Sequence, residues 1–304
     1  MAVKLGTLLA RYRPALVIGN GINRYRAEGA ERSWEDLLAG LAQRCAFELS
    51  PRALEDLSLT EYYDLLDLRH GVAPRGLSLQ KAFAEALRDW RPGDHHRAIV
   101  AWAARHQAPI LTSNFDHTLA QAGACELQHL ARRGFTDFYP WESCFATAPV
   151  DDPAARFAIW HVNGTGVYHR SIRLGLSHYM GAVQRARSWL HDNPDRIQHA
   201  GDSRRAWRGA RSWLHVVFNR PLLFMGLALA ANEVFLRWLL IERARYFQRY
   251  PARALPAWYV HAGEIAASGR FAFLRGVGIE PLDVGSYDAI YADRAWRATG
   301  GRQA

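Results

Sequence analysis

Cysteine and lysine are both scarce in this sequence. The three cysteines, Cys45, Cys125 and Cys144, form no Cys-x-x-Cys pair, which excludes a structural zinc site of the paired-cysteine type. Their odd number argues against a disulfide framework, so we expect free, mostly buried thiols and no zinc cofactor. Lysine occurs only as Lys4 and Lys81, so nearly all of the 38 basic residues are arginines.

The sequence also lacks a long apolar segment. The longest run, Pro221 to Ala231, stops about seven residues short of the roughly 18 that a membrane span needs. The first 13 residues contain neither a long apolar stretch nor a small-residue cleavage site, so no secretory signal is predicted. We expect a cytoplasmic protein with no membrane partner.

The composition is that of a globular protein with an excess of positive charge. The chain has 304 residues, of which 49% are hydrophobic and 22% charged, and its formal net charge is +9. The densest basic cluster interleaves arginine with tryptophan: Arg204, Arg205, Trp207, Arg208, Arg211 and Trp213. Nucleic-acid binding is one interpretation of this charge, whereas a solvated helix face or the rim of an anionic-ligand site is the favoured one.

Apolar strand-like runs alternate with helical stretches along the chain. This alternation predicts a single α/β domain over residues 1–304, a Rossmann-like, mostly parallel sheet with helices on both faces. The predicted strands are Ala15–Ile18, Pro109–Thr112, Phe135–Tyr139, Ala158–Val162, Ile172–Leu176, Pro221–Met225, Ala257–His261 and Ile279–Val284.

Two long stretches between these strands contain only helical patterns. Residues 45–107 are too long for one crossover helix and are interpreted as an inserted helical module, and residues 180–215 form an Arg-rich helical segment. Ser33, with Asp36 three residues later, predicts a capping box at the start of an earlier helix. Asp94-His95-His96 is interpreted as a helix cap followed by two surface imidazoles rather than as a metal site.

Two polar motifs follow predicted strands, where an open α/β sheet binds its ligand. In Gly19-Asn20-Gly21-Ile22-Asn23, the glycines allow backbone to approach a pyrophosphate closely, although a plain tight turn explains the same residues. Thr112-Ser113-Asn114-Phe115-Asp116 offers an amide and a carboxylate that can hold a carboxamide ligand. An Asx turn that caps a helix explains the same residues equally well.

The order of the motifs resembles the sirtuin superfamily. The resemblance is carried by residues 19–23, by residues 112–116 with Ala122-Gly123, by Asn163-Gly164-Thr165, and by residues 224–229. It is closest to the zinc-free bacterial branch, many members of which hydrolyse NAD in antiphage defence. The resemblance therefore implies an NAD glycohydrolase that releases nicotinamide and ADP-ribose, with NAD as substrate.

The resemblance also implies roles for individual residues. NAD would be bound by residues at the four strand ends, with the pyrophosphate and ribose at the first motif and the adenosine half at Gly226. Asn114 would orient the nicotinamide ribose or the attacking water, and Asp116 would hold the carboxamide. The implied NAD-binding set is Gly19, Asn20, Gly21, Ile22, Asn23, Thr112, Asp116, Gly164 and Gly226.

The catalytic position departs from the family pattern. Aligning Gly164 with the family's His-Gly places Asn163 in the histidine slot, and His161 lies two residues earlier on the same predicted strand. Either His161 replaces the missing imidazole or it is a satisfied core histidine beside Trp160, and the sequence leaves both open. The candidate catalytic residues are therefore Asn114, His161 and Asn163.

A free NAD hydrolase would be toxic to its host, so latency until a trigger arrives is expected. The resemblance further implies a homo-oligomer or a partner defence protein. The competing hypothesis is a catalytically silent module that senses NAD or ADP-ribose, or that serves as a scaffold subunit in a defence complex.

Overall fold

The most apolar strands lie at the centre of one sheet. The computed structural model describes residues 5–27, 33–47, 57–70, 78–130, 135–192, 194–198, 207–230, 233–263, 269–292 and 294–297. The strands are β1 Ala15–Ile18, β2 Ile110–Thr112, β3 Glu126–His129, β4 Ser143–Ala146, β5 Ile159–His161, β6 Leu222–Met225, β7 Ala257–His261 and β8 Ile279–Asp283.

The strand order across the sheet is β3-β4-β5-β2-β1-β6-β7-β8. The six strands from β5 to β8 in this order are parallel, and β3 and β4 add an antiparallel pair at one edge. Numbered among themselves along the chain, the parallel strands have the order 3-2-1-4-5-6, which is that of dinucleotide-binding Rossmann folds. The predicted fold class is therefore confirmed.

Helices cover both faces of the sheet. They are α1 Leu5–Tyr12, α2 Gly21–Arg24, α3 Trp34–Arg44, α4 Leu59–His70, α5 Leu79–Ala86, α6 Asp94–Arg105, α7 Thr118–Ala122, α8 Leu176–Asp192, α9 Trp213–Asn219, α10 Val234–Arg249, α11 Gly269–Gly276, α12 Tyr287–Tyr291 and α13 Arg294–Arg297. The predicted capping box is present, since Ser33 Oγ accepts from Asp36 N at 3.0 Å and Asp36 Oδ2 accepts from Ser33 N at 3.3 Å. No helix in these ranges is long and apolar enough to cross a membrane.

The period of two in β1 divides the core into two clusters. Ala15 and Val17 face one cluster with α8, α9 and α10, and Leu16 and Ile18 face the other with α1, α6 and α7. A third cluster is formed by α3, α4 and α5, which pack around Phe115 and Ile172. Within the predicted module 45–107, α6 packs on the sheet, whereas α4 and α5 pack with α3, which precedes the module, in the third cluster. Residues 48–56 and 71–77 of the module lie outside the described residues.

Two predicted strands are wrong. Residues 135–139 form a turn, and Phe135 and Phe138 are 46% and 36% exposed, with the Arg170 guanidinium over the Phe138 ring. Residues 172–175 are irregular and α8 begins at Leu176, because Ile172 inserts into the third cluster instead of a sheet. The strands that do form there, β3 and β4, include the polar segment Glu126–His129, which has no buried apolar run to indicate it.

The Arg-rich segment 180–215 divides into the later part of α8 and the first part of α9, and residues 193 and 199–206, including Arg204 and Arg205, lie outside the described residues. Trp207 and Trp213 are buried in the first core cluster. Their rings therefore pack in the core and do not line a basic surface.

Candidate functional site

The described parts of the predicted motifs converge at one edge of the sheet. Residues 19–23 follow β1, residues 113–116 follow β2, Asn163 and Gly164 follow β5, and Gly226 follows β6. Because β1, β2, β5 and β6 are neighbours and parallel, their carboxyl ends lie side by side. Direct hydrogen bonds connect these loops.

The loops after β1 and β6 cross backbone against backbone. Gly19 N donates to Met225 O at 3.0 Å, and Gly21 N donates to Gly226 O at 2.9 Å. A Cβ on Gly21 would lie 2.7 Å from Gly226 Cα, so this crossing excludes a side chain. The glycines of the first motif therefore allow its loop to pack directly on the loop after β6, and two of its N–H groups hydrogen-bond there. This contact lies at the point where the strand order of the sheet reverses.

A buried hydrogen-bond network joins the loops after β1 and β2. Asn23 Nδ2 donates to Asp116 Oδ2 at 2.9 Å and to Asn20 Oδ1 at 3.0 Å. Asp116 Oδ1 accepts from the Thr118 backbone N–H at 2.9 Å and from its hydroxyl at 2.5 Å. Both carboxylate oxygens of Asp116 therefore have partners within the protein, which gives Asp116 a part in holding the two loops together.

His95 and His96 hold the first motif from α6, so their interpretation as surface imidazoles is wrong. His95 Nε2 donates to Ile22 O at 2.8 Å, and His96, which is buried, places Nε2 3.0 Å from Asn23 Oδ1. Gly93 N donates to His96 Nδ1 at 3.1 Å, which leaves the proton on Nε2. Gly93, not Asp94, is the N-cap of α6.

Thr112 and His161 position Asn114. The Thr112 hydroxyl donates to Ile18 O at 2.9 Å and accepts from Asn114 N at 3.1 Å. His161 Nδ1 donates to Asn114 O at 2.7 Å, since a carbonyl can only accept. This contact places the proton on Nδ1 and leaves a lone pair on Nε2.

His161 is neutral in this environment. Its ring packs against Phe145 and His117, with centroid distances of 5.4 and 5.9 Å. Burial, reinforced by the neighbouring His117, lowers the pKa of His161 from 6.5 to about 3, although the contact with Asn114 O opposes the shift. At neutral pH His161 is a hydrogen-bond acceptor through Nε2 and not an acid.

The three candidate catalytic residues carry buried polar atoms that have no hydrogen-bond partner among the described residues. These atoms are Asn114 Oδ1 and Nδ2, His161 Nε2 and Asn163 Oδ1. Such atoms are rare in folded proteins, because each carries a desolvation penalty of about 1–3 kcal/mol. Their concentration at the ends of β2 and β5 is typical of a site built to receive polar groups of a ligand.

The turn after β5 is shaped by Gly164. Its φ of 101° is left-handed, and a Cβ there would lie 2.1 Å from Ser171 O. Asn163 O accepts from Arg173 N at 2.9 Å, so the backbone of Asn163 is held while its side-chain oxygen has no partner in the described ranges. Gly164 therefore contributes to the geometry of the site through its backbone.

Two adjoining cavities open at this edge. The outer cavity, of about 430 Å³, is lined by the β1–β6 crossing at Gly21 and Gly226 and by aromatic rings that include Tyr259 and Tyr291. This volume is within the roughly 300–1,000 Å³ of ligand pockets. The inner cavity, of about 70 Å³, reaches Asn163. The two share the lining residues Trp34, Leu59, Ser113 and Glu233.

The cavities carry charges of both signs. Arg24 and Arg270 line the outer cavity, and Arg173 lines the inner one. Burial raises the pKa of Glu233, which lines both, to about 7. No role in the site was predicted from the sequence for Glu233, His96 or Arg173. The only signal for Glu233 was its position just after the apolar run 221–231, on the loop that follows β6.

Metal ligands and known relatives add no further assignment. The described residues include no group of three or more His, Cys, Asp or Glu side chains arranged to hold a metal ion. The sequence matches no protein-family model and no curated protein. The resemblance given above therefore depends on the motifs alone.

Proposed function

We propose that this protein binds NAD across the β1–β6 crossing and hydrolyses the bond between nicotinamide and ribose, with release of nicotinamide and ADP-ribose. The observation that carries the proposal is the set of buried polar atoms on Asn114, His161 and Asn163 that have no partner in the described part of the chain. They lie at the strand ends of a fold whose strand order is that of dinucleotide-binding proteins.

The chemistry of the bond suits these groups. Nicotinamide leaves as a neutral molecule, so its departure requires no acid, and the barrier lies in the positive charge that develops on the ribose. Fixed acceptors in a site shielded from water stabilise such a charge. Asn163 Oδ1, on the inner cavity, is an acceptor of this kind, and Asn114 Oδ1 and the lone pair of His161 Nε2 are further acceptors buried at the same strand ends.

The outer cavity suits the adenosine diphosphate half of NAD. Tyr287, which is 63% exposed, offers a ring face for an adenine, and Arg24 and Arg270 offer positive charge for the phosphates. The inner cavity, beside Asn163, is the corresponding place for the nicotinamide ribose.

Incubation of the purified protein with NAD, with nicotinamide release followed by chromatography, tests the proposal. Asn114→Ala is expected to lower turnover by roughly 10² or more while the fold remains intact, because a positioned amide is lost. Asn219→Ala is the matched control: its side chain donates to Ile197 O and His215 O, away from the cleft, so stability falls but turnover per folded molecule does not.

Three outcomes separate the alternatives. Cleavage that requires a candidate activator supports a latent enzyme, which is the form that an antiphage role predicts. Binding of NAD or ADP-ribose without cleavage, with a gain of cleavage in Asn163→His, identifies a silent sensor. Calorimetry that detects no binding of either ligand at millimolar concentration removes the proposal.

A further inference from the structure

We infer that Glu233 is the catalytic base of this cleft, whose carboxylate takes the proton from the water that attacks the ribose. The inference rests on the proposed function and extends it, since neither the motifs nor the resemblance involve this residue. It assigns the proton-transfer role to a residue outside the family's catalytic slot, which in this chain holds Asn163 in place of histidine.

The position of Glu233 carries the inference. Its side chain lines both cavities, so it lies where the adenosine half and the nicotinamide ribose of a bound NAD would meet. The residue is the N-cap of α10, on the loop that leaves β6, and its backbone is held through Glu233 N to Ala230 O at 3.0 Å and Arg237 N to Glu233 O at 3.0 Å.

The carboxylate itself is uncommitted. It makes no side-chain hydrogen bond and no ion pair within the described ranges, in contrast to Asp116, whose two oxygens are both used. A carboxylate that faces a cavity without a partner is suited to a ligand or a reacting water. Its raised pKa of about 7 makes it a stronger base than an ordinary glutamate and still leaves it substantially ionised at neutral pH.

Titratable and charged groups line the cavities on both sides of Glu233. On the inner side Arg173 and Tyr179 line the same cavity, and burial together with Glu233 raises the pKa of Tyr179. On the outer side the cavity presents Arg24, Glu35, His261 and Arg270 with Tyr259, Tyr287 and Tyr291. No described cation forms an ion pair with Glu233, so burial dominates its ionisation.

The reaction step balances with this assignment. The bond between ribose C1′ and the nicotinamide nitrogen breaks, and its electron pair neutralises the pyridinium. Water then forms a bond to C1′ and gives its proton to the Glu233 carboxylate, from which the proton passes to solvent. The sum is NAD and water converted to nicotinamide, ADP-ribose and one proton, with no oxidant or metal required.

The test compares pH–rate profiles of NAD cleavage for the full chain and its Glu233→Gln variant. Wild-type turnover is expected to fall about tenfold per pH unit well below pH 7 and to level off above it, because the ionised form is required. Turnover of Glu233→Gln should be roughly 10²–10⁴ lower than that of the wild type, and it should no longer fall below pH 7. The variant should bind ADP-ribose with unchanged affinity. Glu280→Gln, on the exposed face of β8, is the control and should keep the wild-type profile.

Rescue provides a second readout that a structural role would not produce. In Glu233→Ala, added formate supplies a carboxylate in the vacated space and should restore part of the turnover. A wild-type protein that cleaves NAD while Glu233→Gln retains its rate and its pH profile overturns this inference alone. A wild-type protein that cleaves no NAD under any condition overturns the proposed function, and the role of Glu233 falls with it.

Discussion

Replacement of His161 by asparagine tests the buried neutral imidazole at the centre of the site. The Asn Nδ2 group takes the place of Nδ1 and still donates to Asn114 O, a contact of 2.7 Å in the wild type, but the new side chain does not titrate. Because the pKa of His161 is lowered from 6.5 to about 3 by burial, its stabilising effect is fully present above pH 6.5 and is lost as the pH falls toward 3.

The magnitude follows from the two pKa values. Between pH 7.5 and pH 5.0 the unfolded histidine takes up a proton that the folded one does not, which lowers the free energy of unfolding by about 2 kcal/mol. Loss of the ring contacts with Phe145 and His117 lowers the stability of His161→Asn by about 1–2 kcal/mol at pH 7.5. At pH 5.0 the wild type and the variant should therefore be about equally stable.

Urea denaturation followed by tryptophan fluorescence at the two pH values measures this difference, and the 11 tryptophans give a strong signal. Titrating groups that do not contact His161 are common to both proteins and cancel in the comparison. If the stability gap between wild type and His161→Asn is the same at pH 7.5 and 5.0, the ring is protonated or solvated in the folded state and is not a neutral acceptor through Nε2.

Further variants test the crossing and the network. Gly21→Ala should lower the free energy of unfolding by about 1–3 kcal/mol, because its Cβ would lie 2.7 Å from Gly226 Cα. Gly40→Ala in α3, where a Cβ meets nothing within 4 Å, should raise the free energy of unfolding by about 0.5–1 kcal/mol. If urea titrations show the same change in stability for both variants, the tight crossing at Gly21 is contradicted. Asn23→Asp places a second carboxylate against Asp116, so its melting temperature should fall more at pH 8 than at pH 5. A pH-independent fall would mean that the network does not bring these two side chains together.

The local sequence pattern was sufficient to predict the six parallel strands and to place the motifs at their ends. Runs such as Leu222–Met225 are apolar throughout because both faces of the strand are buried, and that composition is visible in the sequence itself. Ser33 and Asp36 specify a helix start through contacts three residues apart. The pattern of residues therefore suffices to assign the two motifs, Asn114 included, and also Asn163 to strand ends.

The polar contacts of the site could not be predicted in this way. Asn23 and Asp116 are 93 residues apart, and His96 meets Asn23 across 73 residues, so their pairing depends on the order of the strands and on how α6 packs. The same holds for β3, whose polar residues pair at the sheet edge with β4.

Periodicity reports which face of an element is buried, because burial of apolar surface follows the repeat of the helix or strand. It carries no information about which buried polar atoms find partners, since hydrogen bonding depends on position and direction in three dimensions. The sequence alone therefore determined the parallel strands and the location of the motifs. Only the tertiary structure decided that both carboxylate oxygens of Asp116 have partners, that Asn114, His161 and Asn163 hold atoms without a partner among the described residues, and that Glu233 lines both cavities.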